Sequence, residues 1–338
     1  MKWDDILIRA TGRWLPPATA TSDALALGLI PQRRADQLGS SFTTTTTEQL
    51  AVRMATRAAF DALVNAAVSP QDLSLLVYTT VGSQAHSTPA QYLQRALAAP
   101  DAECYELRAA SNGGMTGLLA AAGHLAARPD GEALVTAAAI FPPEHLDRWQ
   151  GSPGMIMADG GSALLMSRRS GFARLCATAH TSIPELEEFS REQAQMDDEQ
   201  WNAKRRKFLA DTGLPPHEHL IWKALDRTLK AVLAEEDIDS KALAHTIVPS
   251  SAWQMADFYF AEPLGLTRER TTWYYARQTG HIGPADQFLG LDHLIRERRL
   301  YPGDYVLMVG LGGGYCMTHT LIQIIEPPVP RNRIHVDR

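Results

Sequence analysis

The sequence predicts an α/β fold in which parallel-rich sheets are covered by helices, and three observations carry that expectation. Leu73 to Val81 is a continuous apolar run, as in strands buried on both faces. Apolar residues recur at helical spacing at Leu50, Met54, Ala58 and Val64, and again at Ile221, Leu225, Leu229 and Leu233. The element order also restarts: residues 1–170 and 171–338 each run strand, helix, strand, helix, strand, helix and then two strands. Little direct identity connects the two stretches, so the repeat is one of architecture and predicts two packed α/β units.

In the first unit, Ile6 to Ala10 reads as a strand closed by Gly12 and Pro16-Pro17. Thr45-Thr46-Thr47-Glu48 has the form of a capping box, from which a helix runs toward Ala67. After the Leu73 strand come a short helix from Pro89 to Ala98, an alternating strand from Cys104 to Ala109, and a helix from Met115 to Ala127. That last helix is almost wholly Leu, Ala, Gly and Thr, which predicts enclosure on all sides. Glu132 to Ile140 and Gly161 to Ser167 complete the unit as strands.

The second unit opens with an alternating strand, Ala173 to Thr181, followed by the polar, charged and helical stretch Ile183 to Pro216 and an amphipathic helix to Ala234. Strands at Thr246 to Val248 and Thr272 to Ala276 flank a helical Met255 to Ala261. Pro284 to Leu300 reads as a helix, and Tyr305 to Val309 and Tyr315 to Ile325 as the closing strands.

With 338 residues, 45% of them hydrophobic and 21% charged, the composition is that of a globular protein. A net charge of −6 argues against general nucleic-acid binding and gives no sign of a membrane-surface protein. No apolar run is long enough to span a bilayer, and Met1 to Pro17, with Asp4, Asp5 and Arg9, lacks a signal-peptide core, so a cytoplasmic protein is expected. Cys104, Cys176 and Cys316 are widely spaced without a C-x-x-C pair and read as buried reduced thiols. His217 and His219 stand in a Pro-rich turn and no H-E-x-x-H occurs, so no metal site is expected.

The chemistry falls to the stretch Ala109 to Leu118. Ser111 stands at the first turn of the charge-poor helix, where unpaired backbone N–H groups and the helix dipole favour a developing negative charge. The same string also reads as an ordinary N-cap followed by an Asn-Gly-Gly turn. Gly310-Leu311-Gly312-Gly313-Gly314-Tyr315 follows a strand, but the residues after it alternate instead of opening a helix, and no Lys-Ser/Thr follows. A turn between two strands is therefore expected, one whose glycines let a backbone N–H approach a bound group.

Several segments resemble the ketoacyl-ACP synthase III family of thiolase-fold condensing enzymes. They are Ala10-Thr11-Gly12-Arg13-Trp14-Leu15-Pro16, Glu106-Leu107-Arg108-Ala109-Ala110-Ser111-Asn112-Gly113, Ala158-Asp159-Gly160-Gly161-Ser162-Ala163, Pro302-Gly303-Asp304-Tyr305-Val306-Leu307 and Gly312-Gly313-Gly314-Tyr315. In this order and spacing they cover nearly the whole chain. The resemblance implies a thiolase fold of two pseudo-repeated halves in an αβαβα layered arrangement, residues 1–170 carrying the nucleophile, and a homodimer.

Three positions depart from the family pattern. Ser111 stands where the family has its nucleophilic Cys, Ser250 in Pro249-Ser250-Ser251-Ala252-Trp253 stands where it has a His, and His281 in Thr279-Gly280-His281 stands where it has an Asn. A serine nucleophile needs an adjacent base, because an alkoxide does not form appreciably near neutral pH. His281 occupies the place of that base, and a Gly283-Pro284 turn would bring Asp286 back to orient the imidazole. Taken alone, Asp286 also fits a helix N-terminus and His281 a structural histidine.

The substituted set is similar to synthase III-like acyltransferases of actinomycete antibiotic pathways. That implies movement of a polyketide-derived acyl group, for example a methylsalicyl-type aromatic, or of a short acyl group from an acyl carrier protein through an acyl-Ser111 intermediate. The acceptor would be a hydroxyl or amine of a sugar or aminocyclitol, or another carrier protein. Backbone N–H groups of Ser111 and Gly313 would form the oxyanion hole. The donor would be acyl-phosphopantetheine or acyl-CoA, with no tightly bound cofactor. Lys204-Arg205-Arg206-Lys207 is one candidate landing site for an acidic carrier, and Arg296, Arg298 and Arg299 are a second; each also reads as a solvated helix face. Two other readings stand beside this one: a starter-unit enzyme that makes a C–C bond by decarboxylative condensation, and a non-catalytic synthase partner. The absence of a G-x-S-x-G elbow disfavours an α/β-hydrolase.

Overall fold

The computed structural model describes residues 1–81, 88–128, 130–152, 154–190 and 198–328. Its strands are β1 (Leu7–Trp14), β2 (Ala18–Ala20), β3 (Phe42–Thr44), β4 (Leu73–Thr80), β5 (Glu103–Leu107), β6 (Glu132–Ala139), β7 (Gly160–Ser167), β8 (Ala173–Ser182), β9 (Leu243–Ile247), β10 (Tyr305–Gly312) and β11 (Cys316–Ile324). Among the described residues, β2 and β3 form a small ribbon and the others join one mixed sheet in the order β5-β4-β6-β7-β1-β8-β11-β10-β9.

Followed inward from the two edges, the sheet contains the same order twice, β5-β4-β6-β7-β1 and β9-β10-β11-β8. The senses agree: β4 is parallel to β6 as β9 is to β10, β6 antiparallel to β7 as β10 is to β11, and β7 antiparallel to β1 as β11 is to β8. Among the described residues the second run has no counterpart of β5. Thr272 to Ala276, expected as a strand, instead contains the helical turn Trp273–Ala276, and a single parallel bridge from Thr246 to Thr271 stands where the ladder would begin. Trp273 and Tyr275 are buried and Tyr274 is exposed, a pattern that one helical turn and a short strand satisfy equally.

Side chains on the inner faces of both runs, among them Ile8, Val77, Val135, Leu164, Leu175 and Val306, enclose two helices, Gly113–Ala127 and Asp286–Arg296, through Leu118, Leu125, Phe288 and Leu291. Helices Ala51–Ala66 and Pro89–Leu97 cover the outer face of the first run, and helix His217–Ala234 covers that of the second. The result is the αβαβα stack of a thiolase-type fold. Among the described residues the β1–β8 ladder consists of Leu7 with Arg174 and Ile8 with Ala173, so the two runs diverge around the inner helices. No helix among the described residues is long and apolar enough to cross a membrane.

Several local expectations change. The Thr45–Glu48 segment is not a capping box: Thr46 Oγ1 accepts from Glu48 N, the Glu48 carboxylate accepts from Gln49 N and Leu50 N, and the helix begins at Ala51 without a side-chain cap. Val64 faces solvent. The Gly113–Ala127 helix is not enclosed on all sides, since Ala120, Gly123, Ala126 and Ala127 are exposed; small uncharged residues look alike in sequence whether covered or not. The stretch Ile183 to Pro216 lies partly outside the described residues and otherwise contains the helix Asp198–Thr212. Gly12 does not close β1 but lies within it, where a Cβ would stand 2.1 Å from Ala58 O and 2.4 Å from Ala62 N.

Gly12→Ala is therefore expected to lift the Ala51–Ala66 helix off β1 and to cost about 1–3 kcal/mol, read as a lower urea midpoint with an unchanged m-value. Burial pushes the His319 imidazole down to about 3. The unfolded chain takes up that proton below about pH 6.5 and the folded chain does not. This group's contribution to stability is thus complete above pH 6.5 and declines as pH falls toward 3, by about 1.4 kcal/mol per pH unit. Urea midpoints should drop between pH 7 and pH 4, and His319→Leu should flatten that drop.

Candidate active site

The turn that carries Ser111 is strained by sequence and held by contact. β5 ends at Leu107, Ala109 has φ −144° and ψ 36°, Ala110 has φ 46°, and Ala110–Asn112 form one 3-10 turn that leads into the Gly113–Ala127 helix. A left-handed alanine costs about 1–3 kcal/mol and persists only where its surroundings fix it. β10 provides the fixing surface. A Cβ on Gly312 would lie 2.5 Å from Ala109 O and 2.7 Å from Asn112 N, and one on Gly310 would lie 2.2 Å from Asn112 Oδ1. These glycines are thus strand residues on which the turn sits, and the hairpin turn follows them, Gly312 pairing with Cys316. Gly313 lies at that tip, with Ala110 Cβ 3.5 Å from where its own Cβ would stand.

Ser111 Oγ is 2.7 Å from His281 Nε2, and His281 Nδ1 is 2.6 Å from Asp286 Oδ2. His281 is buried and locked by its backbone: its N–H donates to Ile156 O at 2.8 Å and its carbonyl accepts from Ala158 N at 2.9 Å. The chain then folds back through the 3-10 turn Gly283–Ala285, so Asp286 begins the next helix facing the imidazole. Asp286 Oδ2 also accepts from Ser250 N at 2.8 Å, and Oδ1 accepts from Ile282 N at 2.8 Å. A carboxylate is an acceptor only, so His281 Nδ1 carries the proton and its Nε2 lone pair faces the serine hydroxyl. Such an arrangement can move a proton from the serine to the imidazole and hold the resulting imidazolium against a fixed carboxylate.

Ser250 is buried, and its hydroxyl donates to Ala276 O at 2.9 Å, so its backbone rather than its side chain serves the site. Sequence reasoning did not find that role, since a backbone donor leaves no residue signature. It also missed the surroundings of Asn112, whose Nδ2 donates to Thr318 Oγ1 at 2.9 Å, and of Cys316, whose thiol lies 3.7 Å from Ala109 O. Burial raises the Cys316 thiol above its usual range, which keeps it a thiol beside the turn. Of the three cysteines expected to be buried, only Cys176 is; Cys104 and Cys316 are half-buried because each sits near a strand end.

The basic stretches divide. Arg205 is 2.5 Å from Glu218 Oε1, whereas Arg206 and Lys207 are exposed and Lys204 is half-buried on the Asp198–Thr212 helix. Arg296 is withdrawn as a docking residue, because it bridges Asp292 at 2.6 Å and Asp61 at 2.9 Å in a half-buried network. Arg298 and Arg299 remain on the surface.

Residues 233–324 match the family model described as 3-oxoacyl-[acyl-carrier-protein (ACP)] synthase III C terminal. The acetoacetyl CoA synthase NphT7 of Streptomyces sp. (strain CL190) is 25% identical over 286 residues, 82% of this chain and 84% of its own. A beta-ketoacyl-[acyl-carrier-protein] synthase III of Aquifex aeolicus (strain VF5) is 24% identical over 268 residues, 79% of this chain and 82% of its own. The solved structure of ChlB3, described as an acyltransferase, is 30% identical, superposes with a TM-score of 0.90 and covers 96% of this chain and 99% of its own.

Gly312→Ala should push the Ser111 turn away from β10 and lower labelling of Ser111 by a serine-directed fluorophosphonate by about 100-fold. Gly313→Ala, whose new Cβ would meet nothing nearer than 3.5 Å, should leave the melting temperature close to wild type.

Proposed function

Because the chain belongs to the ketoacyl-ACP synthase III-like family of thiolase-fold transferases, we propose that it is an acyltransferase that works through an acyl-Ser111 ester without decarboxylation. The donor is an acyl carrier protein or acyl-CoA, the acyl group is short or polyketide-derived, and the acceptor is a hydroxyl or amine of a sugar or aminocyclitol, or a second carrier protein, in antibiotic biosynthesis. The observation that carries this reading is the 2.7 Å contact of Ser111 Oγ with His281 Nε2, backed by the 2.6 Å contact of His281 with Asp286. The likeness to ChlB3 supports the transfer reaction, and the names of the synthase III relatives support a carrier-bound donor.

His281 takes the proton of Ser111 as the serine oxygen attacks the thioester carbonyl carbon. The tetrahedral oxyanion lies against the backbone N–H groups of Ser111 and Gly313, each worth on the order of 10² to 10³ in rate. Collapse breaks the C–S bond, the sulfur leaves with the proton returned by His281, and the acyl ester remains on Ser111. The acceptor then loses its proton to His281 and attacks the ester, and Ser111 departs with that proton restored. No C–C bond forms and no enolate is needed. The bonded state of Ser250 supports this, because its hydroxyl is spent on Ala276 O and no longer offers the donor that a histidine would present to an enolate. Arg206 and Lys207 are the exposed cations proposed to meet an acidic carrier. A second copy of the chain is proposed to cover β5, the terminal strand of the sheet, where Tyr105 is exposed.

Intact-mass measurements with a panel of acyl-carrier proteins should show an acyl increment on the wild type and none on Ser111→Ala; covalent loading of Ser111→Ala would end the proposal. Asp286→Asn should slow loading by about 10³ to 10⁴. With malonyl-carrier added, no carbon dioxide should be released, and its release with a C–C coupled product would assign condensation instead.

A further inference from the structure

We propose that Asn112 and Thr318 are positioning residues whose buried hydrogen bond aims the Ser111 hydroxyl at His281. The inference rests on the acyl-Ser111 reading given above. Both residues are wholly buried, at 0% exposure. Asn112 Nδ2 donates to Thr318 Oγ1 at 2.9 Å and to Thr116 Oγ1 at 3.1 Å. Thr318 Oγ1 is also 2.9 Å from Nδ1 of His180, its register partner on β8. The Asn112 amide N–H is a donor only, so Thr318 Oγ1 accepts in this bond and the threonine is held between Asn112 and His180.

The geometry explains why a tether is needed on this side. Ser111 sits between a left-handed Ala110 and Asn112, and among the described residues its side chain has one hydrogen bond, the contact with His281. Glycines of β10 make room for the turn but supply no side chain to grip it. The grip comes from the Asn112 amide, which joins the turn to β11, while Thr116 Oγ1 donates back to Asn112 O at 3.1 Å and ties the same residue to the following helix. Without the amide bond, the strain at Ala110 can relax by rotating the turn, and Ser111 Oγ leaves hydrogen-bond reach of the imidazole. Asn112 and Thr318 touch neither His281 nor Asp286 through any described hydrogen bond, so their effect runs through the orientation of Ser111.

The test compares Thr318→Val, which keeps the side-chain shape and removes the hydroxyl, with Thr318→Ser, Asn112→Ala and the double variant Asn112→Ala with Thr318→Val. Three quantities are read: the rate of Ser111 labelling by a fluorophosphonate, kcat and KM for acyl loading, and the melting temperature. Thr318→Val and Asn112→Ala should each slow labelling and lower kcat by about 10-fold to 100-fold with KM changed less than about twofold. The double variant should be far less slowed than the product of the two single effects, because the Asn112–Thr318 bond is lost in either single variant. Thr318→Ser should restore the rate to near wild type, which a loss of packing alone would not produce. Labelling of Thr318→Val and Asn112→Ala at the wild-type rate overturns this inference alone. A wild-type protein that the probe leaves unlabelled at Ser111 overturns the nucleophile reading and this inference together.

Discussion

The contact between Ser111 Oγ and His281 Nε2 spans 170 residues of sequence and is the constraint that the surrounding structure meets. Each partner is held by the opposite part of the chain. The turn bearing Ser111 follows β5 but rests on β10 and is tied to β11 through Asn112 and Thr318. His281 belongs to the later part but is bonded through its backbone to Ile156 and Ala158 of the earlier part. This exchange of supports ties the position of each side chain to both runs of the sheet. It gives the repeated β5-β4-β6-β7-β1 and β9-β10-β11-β8 orders a chemical consequence.

Electrostatics complete what packing begins. Asp286 is buried, and a buried carboxylate is costly unless its oxygens are bonded. Here Ser250 N, Ile282 N and His281 Nδ1 supply three donors. The arrangement keeps an anion beside the imidazole and orients the lone pair of Nε2 toward the hydroxyl. The same bonds account for Ser250, whose amide faces the carboxylate and whose hydroxyl turns away to Ala276 O. A thiolate does not require this apparatus, because a thiol ionises far more readily than a serine hydroxyl.

How far the sequence could be read follows from the range of each interaction. The unbroken apolar run of β4 and the Ile221, Leu225, Leu229 and Leu233 stripe are local patterns, and they identify a strand and a helix face without further information. Ser111, His281 and Asp286 could be singled out because a hydroxyl nucleophile needs a base and the base an acceptor, a chemical requirement that holds across any sequence distance. Trp273 to Ala276 shows the opposite limit: four residues with Tyr274 exposed between buried neighbours fit two periodicities, and the contacts of Trp273 with Ser251 O and the ring of Trp253 settle the matter. Asn112 with Thr318, and the backbone donor at Ser250, had no local signal, since each depends on a partner brought in by the fold. Arg205 and Arg296 looked like free charge in sequence and are paired in space with Glu218 and with Asp292 and Asp61.

In the mechanism proposed for Ser111, Asp286 fixes the imidazole so that Nε2 accepts the serine proton. Nitrogen NMR of the protein labelled in histidine, with His281→Gln used to assign the signal, reads this directly. The neutral His281 ring is expected to be protonated at Nδ1 and bare at Nε2, with that preference lost in Asp286→Asn. A neutral His281 protonated at Nε2 would make Ser111 an acceptor and would rule out the imidazole as its base.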